Sequence, residues 1–584
     1  MPTWILALAL LGPPQSPSPI TPKPAPTTAP AEVETVDETS EPEVQPPSVE
    51  RLLIHGGRIY LGNDDGGAVE ALLVEDGRVV AAGPLARLGV DLDEPGLGKI
   101  DLKGAVAVPG LQDAHGRIEE YGETLETLDL RGLTTWDEIF TVVAGAAAQT
   151  PEGDWVLARG WEPTLLLEGE MPTHEGLSEA VPDHPVHLTS SDGSAVLVNR
   201  RALVRARLHE TLEPPPRIQG GRVVLDEEKF ATGLFFDEAT SLFAPVLPKV
   251  TREDRERRIL AAQEKLLAFG LTCVHDMGVS TQALSIYRDL RERGLLRLRI
   301  VAFVDGNRGL TEEQLAEYPL APDAEDQLSM PGIALRLDGT LYSRGAALLL
   351  DYADRPGEQG RLRLTAETLT AYVHQGYQAG LQPAITAVGD KANSLALDVI
   401  ERMKEVDEGF MDLRPRIEHA QIVSTRDMPR FPSLGITPSM QPVHAIADLP
   451  VLERRLGGHR AEWAYTWRNL APSWTRLAFG SDFPISSPDP LLGLHAARTR
   501  ATLGLFATGE ESGEEPLGGK EALAGFTRGP AWAAHQEDRR GQLVPGYWAD
   551  LTVFDVDPID AEPDALLEGN VLLTIISGRV VFQR

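Results

Sequence analysis

The segment Val106-Ala-Val-Pro-Gly-Leu-Gln-Asp-Ala-His-Gly-Arg117 passes from apolar to polar side chains across a Pro-Gly pair. The residues Val106–Val108 predict a short buried strand, and Pro109-Gly110 ends it. We therefore expect His115 at the C-terminal end of this strand. In a barrel of parallel strands, polar residues at that end build the active site.

Beyond this segment, amphipathic helical patterns alternate with short apolar strands. In Thr251–Phe269, apolar residues repeat on one helical face between a capping Thr251 and a terminating Gly270, and the strand Leu271–Asp276 follows. This alternation predicts an α/β fold, a distorted TIM (β/α)₈ barrel over residues 110–540. Further strands are expected at Ile333–Leu337, Leu381–Thr386, Arg416–His419, Ile436–Gln441 and Leu477–Asp482.

Both flanks of the barrel region carry β-strand patterns. The simplest packing brings these flanks together, so we predict a small composite β-sandwich from residues 51–109 and 541–584. The section of about 155–246 breaks the barrel repeat and is expected to be an insertion over the barrel mouth. The strand-like runs of the flanks are Arg51–Tyr60, Val69–Ala82, Ala549–Asp555 and Val571–Phe582.

The N-terminal residues 1–12 contain an apolar run that is too short to cross a bilayer and long enough for the core of a signal peptide. Residues 13–50 are rich in Pro, Thr, Ser and Glu, which predicts a disordered linker. A signal peptide implies an exported protein, periplasmic or extracellular. Without one, the protein is expected in the cytoplasm.

The composition describes an acidic globular protein. Hydrophobic residues make up 42% of the 584 residues, enough for a large core. The formal net charge of −33 argues against nucleic acid or a membrane surface as a partner and leaves a small-molecule substrate. Cys273 is the only cysteine, which excludes an intramolecular disulfide and a cysteine-based zinc site. The oligomeric state stays open.

A series of short motifs follows the His115 segment in a fixed order, and together they resemble the amidohydrolase superfamily in its N-substituted formamide deformylase-like branch. The resemblance extends from about Arg51 to Arg584. It implies a metal-activated water at the barrel mouth and hydrolysis of a carbon-nitrogen bond, other than a peptide bond, in a small amide or formamide-like substrate. The motifs are Trp155–Trp161, Val274–Asp276, Asp338-Gly339, Ser343–Leu348, Arg416–Gln421, Ser439–His444, Gly480–Pro484, Gly541–Gly546 and Ala549-Asp550.

The resemblance assigns roles to three residues that match family positions. His115 and His419 match metal-binding histidines, and Asp482 matches the catalytic aspartate that takes the proton of the water. Other family positions have changed in this sequence. Arg117 replaces the second histidine of the first motif, Thr386 and Ser194 each replace a histidine, and Ala334 replaces a lysine that bridges two metals.

These substitutions argue against a binuclear centre. A single zinc held by His115, His419 and Asp482 keeps the three protein ligands that catalytic zinc uses. Arg117 is a permanent cation that cannot bind a metal, and we expect it to pair with Asp482 and replace the charge of a lost metal. Arg336, on the strand face of Ala334, is expected to fill the space of the lysine.

Two further histidines are site candidates. His275 is expected to support the ligands rather than bind the metal, and His444 either contacts substrate or shapes a loop. Two functions stay open: a metal-dependent hydrolase, or a catalytically inactive relative that acts as a binding or scaffold protein. A metal-free hydrolase, in which Arg117 or Arg336 stabilises an oxyanion, is a third reading.

Overall fold

The computed structural model describes residues 51–65, 67–162, 166, 171–191, 193–212, 218, 220–471, 476–500 and 516–584. The predicted signal peptide of residues 1–12 and the predicted linker of residues 13–50 lie outside these residues. Within the described part of the chain, no helix combines the length and the apolar character needed to span a membrane.

Eight parallel strands form the central sheet and follow one another in chain order. An isolated parallel bridge between Gly116 and Phe483 links the two edges, so the sheet is nearly closed. The predicted distorted (β/α)₈ barrel is confirmed. Around the barrel the strands are Leu111–Gly116, Leu271–Val279, Arg299–Asp305, Leu328–Arg336, Gln382–Ala387, Arg416–His419, Thr437–Met440 and Ala478–Phe479.

Helices alternate with the barrel strands, and the helix Arg252–Ala268 begins at its predicted cap. In the helix Arg252–Ala268, Thr251 Oγ1 accepts the Asp254 amide at 3.1 Å, and the Asp254 carboxylate accepts the Thr251 amide at 2.9 Å. The α-helices of the described residues are Ile118–Glu126, Trp136–Ala147, His174–Ala180, Arg200–Arg205, Arg252–Ala268, Thr281–Glu292, Glu312–Glu317, Ala366–Gln378, Asp390–Val406, Arg430–Leu434, Pro442–Leu456, Gly458–Ala461, Trp467–Leu470, Pro490–Thr499, Gly519–Gly525 and Arg528–Ala533.

The strands around the Pro-Gly break differ from the prediction. Val106–Pro109 is a strand of the sheet built from the chain ends, whereas His115 lies on a separate barrel strand, Leu111–Gly116. Gly110 permits the passage between the two sheets, because a Cβ at this position would lie 2.4 Å from Thr272 Oγ1. The polar run therefore forms a buried strand, since the barrel supplies partners for its polar groups.

Segments from both flanks of the barrel pair into one eight-stranded sheet, so the two flanks meet in one β structure as predicted. The strand Leu551–Phe554 joins them, pairing antiparallel with Val106–Pro109 on one side and with Val571–Ile576 on the other. In sheet order the strands are Arg579–Gln583, Val571–Ile576, Leu551–Phe554, Val106–Pro109, Arg51–Tyr60, Ala68–Glu75 and Arg78–Gly83, with Leu97–Asp101 also paired to Arg51–Tyr60.

A six-stranded sheet lies between the first and second barrel strands in the chain. It has apolar clusters of its own, one around Trp161 and Leu188 and another around Phe235 and Phe243. It is therefore a separately packed layer and not part of the barrel repeat. In sheet order its strands are Gly221–Leu225, Ala231–Asp237, Ala195–Val198, Val186–Ser190, Val156–Trp161 and Leu128–Asp129.

A buried ion pair joins the barrel to the sheet of the chain ends. Arg299 donates from Nε to Asp550 Oδ2 at 2.7 Å and from Nη2 to Asp550 Oδ1 at 3.0 Å. The same guanidinium donates to Ser577 Oγ at 2.8 Å and to the Asp326 carbonyl at 3.1 Å. These additional hydrogen bonds offset the cost of burying both charges.

Arg299→Ala is expected to lower the free energy of unfolding by about 3–5 kcal/mol, because the Asp550 carboxylate stays buried without its cation. Chemical denaturation followed by circular dichroism measures this change. Arg87→Ala, at an exposed arginine, is the control and is expected to stay within about 0.5 kcal/mol of wild type. Equal stabilities of the two variants would contradict a structural role for the ion pair.

Candidate metal centre

Three donor side chains converge at the C-terminal ends of barrel strands. His115, His419 and Asp482 each offer one ligand atom, and these atoms lie within 4.8 Å of one another. Asp482 Oδ1 lies 3.5 Å from His115 Nε2, and Asp482 Oδ2 lies 3.7 Å from His419 Nε2. All three side chains are buried. Folding therefore brings together the three residues that the sequence singled out as ligands.

Unusual backbone conformations aim two of these side chains. The φ angle is 67° at His419 and 58° at Asp482, a left-handed region that is costly for residues with a Cβ. Regular alternation along the strand would turn His419 to the face opposite Glu418. The Asp482 amide donates to the His115 carbonyl at 2.8 Å. Contact between the first and last strands of the barrel thus fixes the strained backbone at Asp482.

A buried carboxylate orients His115. Glu418 Oε2 lies 2.8 Å from His115 Nδ1, and Arg416 Nε donates to Glu418 Oε1 at 2.7 Å. Burial alone raises the pKa of Glu418, but the Arg416 charge and the His115 hydrogen bond bring that pKa below its usual value. Glu418 is therefore ionised and accepts the Nδ1 proton. The lone pair of a neutral His115 is then on Nε2, which faces Asp482.

Arg416 is fully buried inside the barrel and connects several strands. Its Nη2 donates to the Ala114 carbonyl at 2.9 Å and to Ser439 Oγ at 3.1 Å. Its Nη1 donates to His275 Nδ1 at 2.9 Å, since a guanidinium only donates. Sequence reasoning gave Arg416 and Glu418 no role. Their i, i+2 spacing, which puts both on one face of a strand, is the signal that could have found them.

Asp113 ties the segment before Asp482 to the strand of His115. Its carboxylate accepts from Ser481 Oγ at 2.6 Å and from the His115 amide at 3.0 Å. Burial raises the pKa of Asp113 to about 6, although these hydrogen bonds act to lower it. Gly480 makes this approach possible, because a Cβ there would lie 2.5 Å from the His115 nitrogen and 2.6 Å from Asp113 Oδ1.

The electrostatic surroundings set the protonation states of the cluster. Burial raises the pKa of Asp482, but His419, His115 and Arg117 outweigh it, and the pKa falls to about 2. Burial lowers the pKa of His419 well below its usual value. At neutral pH the cluster therefore contains a carboxylate and a neutral His419 imidazole, which are the forms that bind metal ions.

The donor chemistry fits a divalent metal ion. His115 Nε2 and Asp482 Oδ1 are buried and have no hydrogen-bond partner. A buried polar atom without a hydrogen-bond partner costs free energy of folding unless an ion or a water molecule binds it. Two imidazole nitrogens and a carboxylate oxygen form a ligand set that zinc accepts. Among the described residues, this is the only converging group of three potential ligands of this kind.

The predicted pairing of Arg117 with Asp482 is wrong. Arg117 Nη1 lies 3.3 Å from Glu120 Oε2, and Glu120 is its partner among the ion pairs of the described residues. Arg117 directly precedes the helix Ile118–Glu126, and Glu120 lies in the first turn of that helix. Arg117 still acts on Asp482 over a longer distance, since its charge helps to lower the pKa of that carboxyl.

The other substituted positions lie on neighbouring barrel strands. Ala334 and Arg336 are two residues apart on the strand Leu328–Arg336, and Arg336 pairs in register with Thr386. Burial lowers the pKa of Arg336, and so does the charge of Arg117. Arg336 Nε is buried and has no hydrogen-bond partner. The substitutions thus leave two arginines beside the three-residue cluster.

The remaining candidates differ in their distance from the cluster. His444 Nε2 lies 3.9 Å from Asp482 Oδ2, and the His444 ring centroid lies 5.5 Å from that of His419. His275 contacts Arg416 and is not part of the converging group, so its supporting role stays a prediction. Ser194 lies in the six-stranded sheet region, where its carbonyl accepts from the Asp237 amide at 2.7 Å.

A nearly closed parallel barrel with a buried His/His/Asp cluster at its C-terminal mouth is an arrangement typical of metal-dependent hydrolases. The model of the amidohydrolase family matches residues 99–582. The chain therefore belongs to the amidohydrolase family, and the membership predicted from the motifs is confirmed.

Relatives match nearly the whole chain. The putative amidohydrolase YtcJ of Bacillus subtilis (strain 168) is 30% identical over 544 residues, which cover 91% of this chain and 100% of that protein. The N-substituted formamide deformylase of Arthrobacter pascens is 24% identical over 554 residues, covering 91% and 98%. The crystal structure of an uncharacterized metal-dependent hydrolase from Pyrococcus horikoshii matches with a TM-score of 0.70 and 28% identity, covering 88% of this chain and 99% of that one.

Gly480→Ala is expected to lower the free energy of unfolding by about 1–3 kcal/mol, because the new methyl group overlaps backbone atoms that cannot move freely. Denaturant titration measures the loss. Gly145→Ala is the control, since a Cβ at this helical position meets nothing within 4 Å. The control is expected to gain about 0.5–1 kcal/mol. A Gly480→Ala protein as stable as wild type would show that the two strands need no such close approach.

Proposed function

We propose that this protein is a hydrolase with a single zinc ion, which cleaves the carbon-nitrogen bond of a small amide or formamide-like substrate. The observation that carries the proposal is the convergence of His115, His419 and Asp482 as buried donors. Membership of the amidohydrolase family supports hydrolysis. The formamide deformylase among the relatives supports the choice of bond.

The zinc would be held by His115 Nε2, His419 Nε2 and a carboxylate oxygen of Asp482. A zinc bound by three protein ligands polarises a water molecule and lowers its pKa. Glu418 keeps the His115 proton on Nδ1 and so keeps Nε2 free for ligation. Arg416 holds Glu418 in the ionised form that this task requires.

Asp482 moves the proton during hydrolysis. The water oxygen forms a bond to the amide carbon, and the Asp482 carboxylate accepts the proton that the water loses. The carbon-nitrogen bond then breaks, and the same proton passes to the leaving nitrogen. The products are an amine and a carboxylic acid, which is formate for a formamide. His444, close to Asp482, hydrogen-bonds the substrate.

Arg117 and Arg336 stabilise the negative charge that develops on the substrate oxygen. Both cations act on the Asp482 charge, which lies at the reacting centre. Arg336 Nε has no hydrogen-bond partner and is available as a donor. Fixed cations directed at a developing oxyanion favour the transition state over the bound substrate.

The alternative function is that of a catalytically inactive relative. It rests on the metal-ligand positions of the family that are occupied here by Arg117, Ala334 and Thr386. Those losses remove the support for a second metal ion. They leave the three ligands that one catalytic zinc needs. We therefore favour a mononuclear hydrolase.

Purified wild-type protein is expected to contain about one equivalent of zinc, which the His419→Ala variant lacks because two donors hold the ion far more weakly than three. Mass spectrometry of the metal content measures both. His459→Ala, at an exposed histidine, is the control and is expected to keep its zinc. Release of amine and formate from N-substituted formamides by the wild type tests the reaction itself. Absence of metal from the wild type, even after incubation with zinc or manganese, would refute the proposal.

Glu418→Gln is expected to weaken zinc affinity about 10–100-fold, because a carboxylate that orients a histidine ligand also raises its basicity. Competition with a chromogenic chelator measures the affinity. Glu179→Gln, at an exposed glutamate, removes the same charge away from the site and is expected to bind zinc like wild type. Equal affinities of the two variants would contradict the role given to Glu418.

A further inference from the structure

A cavity of about 440 Å³ lies between the six-stranded sheet and the loop that follows the barrel strand Leu328–Arg336. Its size is that of a site for a small organic molecule. Guanidinium groups dominate its walls, and we refer to it as the arginine cavity. The arginines that line it are Arg222, Arg344, Arg355, Arg361 and Arg363.

The charge of this cavity is opposite to that of the chain. The whole protein has a formal net charge of −33. The cavity wall carries five arginines and two carboxylates, Asp237 and Glu358, and two further carboxylates, Asp354 and Glu238, pair with these arginines, which leaves an excess of one positive charge. A concave cationic surface concentrates field lines and attracts anions even within an acidic protein.

Three of the five arginines are held in place by carboxylates. Such pairs fix the guanidinium geometry, and a guanidinium has more N–H groups than one carboxylate can accept. The pairs are Arg344 Nη2 with Asp354 at 2.8 Å, Arg355 Nε with Glu358 at 3.4 Å, and Arg363 Nη1 with Glu238.

The other two arginines have no carboxylate partner among the ion pairs of the described residues. The Arg222 guanidinium lies 4.3 Å from the centroid of the Phe236 ring. Burial lowers the pKa of Arg222, and the negative charge of Glu358 acts against this effect. Arg361 Nη1 donates to the Gly221 carbonyl at 3.4 Å. An arriving oxyanion would supply the missing countercharge to both side chains.

Hydrogen bonds attach the wall of the arginine cavity to the end of a barrel strand. The Arg363 amide donates to the Leu337 carbonyl at 2.7 Å, and Leu337 follows Arg336. The buried carboxylate of Asp338 accepts from the Ala347 amide at 2.8 Å and from the Gly389 amide at 2.8 Å. These bonds fix the loop of the cavity to the strand ends that surround the candidate metal centre.

We propose that the arginine cavity binds the anionic group of a small molecule, a carboxylate or a phosphate. Arg222 and Arg361 make the charge-assisted hydrogen bonds, and the three paired arginines form the rest of the polar wall. Resting on the proposed function, the bound molecule is the substrate. Its anionic end lies in the cavity, and its amide or formamide group extends to the barrel mouth.

Titration calorimetry of the full-length protein with succinate and, separately, with inorganic phosphate tests the site. Saturable binding of at least one anion is expected, with affinity about tenfold weaker in Arg222→Gln and in Arg361→Gln, because each loses a hydrogen bond to a charged group. Arg87→Gln, an exposed arginine outside the cavity, is the control. The two titrations distinguish a carboxylate site from a phosphate site. Absence of saturable binding, or equal affinity in all variants, overturns the anion site.

A second measurement tests whether the anion is part of the substrate. N-formyl-6-aminohexanoic acid, whose carboxylate lies several bonds from its formamide, and its methyl ester differ in the charge of the carboxyl group. The wild type is expected to prefer the acid by about tenfold in kcat/KM, and this preference is expected to disappear in Arg222→Gln and Arg361→Gln but not in Arg87→Gln. Equal use of acid and ester by the wild type overturns the cavity as a substrate anchor. Failure to cleave either compound, with anion binding intact, refutes the proposed function and leaves the anion site standing.

Discussion

The hydrogen-bonded chain from Arg416 through Glu418 to His115 is the constraint on which the rest of the site depends. All three side chains are buried inside the barrel, where an unpaired charge would be very costly. Arg416 neutralises Glu418 and uses its remaining donors on Ala114 and Ser439, so the strands must keep their positions for every group to be satisfied. The same chain fixes which nitrogen of His115 carries the proton. The same hydrogen bonds therefore hold the barrel strands in place and set the protonation of His115 at the candidate metal centre.

Closure of the barrel also fixes the backbone position of Asp482. Asp113 binds Ser481, and Gly480 lets the two strands approach closely enough for that contact. Asp482 then adopts a left-handed backbone conformation that an isolated peptide would rarely hold. His419 is turned in the same way at the end of its strand. The donors converge because surrounding hydrogen bonds and packing compensate for local strain.

Positive charge occupies one position where the resemblance implies a metal ligand and lies near another. Arg117 stands for a histidine, and Arg336 lies two residues from the substituted Ala334. The arginine cavity adds further arginines between the six-stranded sheet and the loop after the barrel strand Leu328–Arg336. The chain has a net charge of −33, so this clustering of arginines does not follow from the overall composition. Our proposal of an acidic substrate rests on this concentration of arginines.

The sequence by itself determined the barrel, the cap of the helix Arg252–Ala268 and the three donor residues, because periodicity, capping and motif order are local properties. Only the tertiary structure decided the strand Arg299–Asp305, which local patterns did not predict. Arg299 can be buried there because Asp550, 251 positions away in the chain, pairs with it. The support of His115 by Glu418, 303 positions away, was likewise decided by folding. Such contacts depend on which distant segments become neighbours, and spacing along the chain does not encode that.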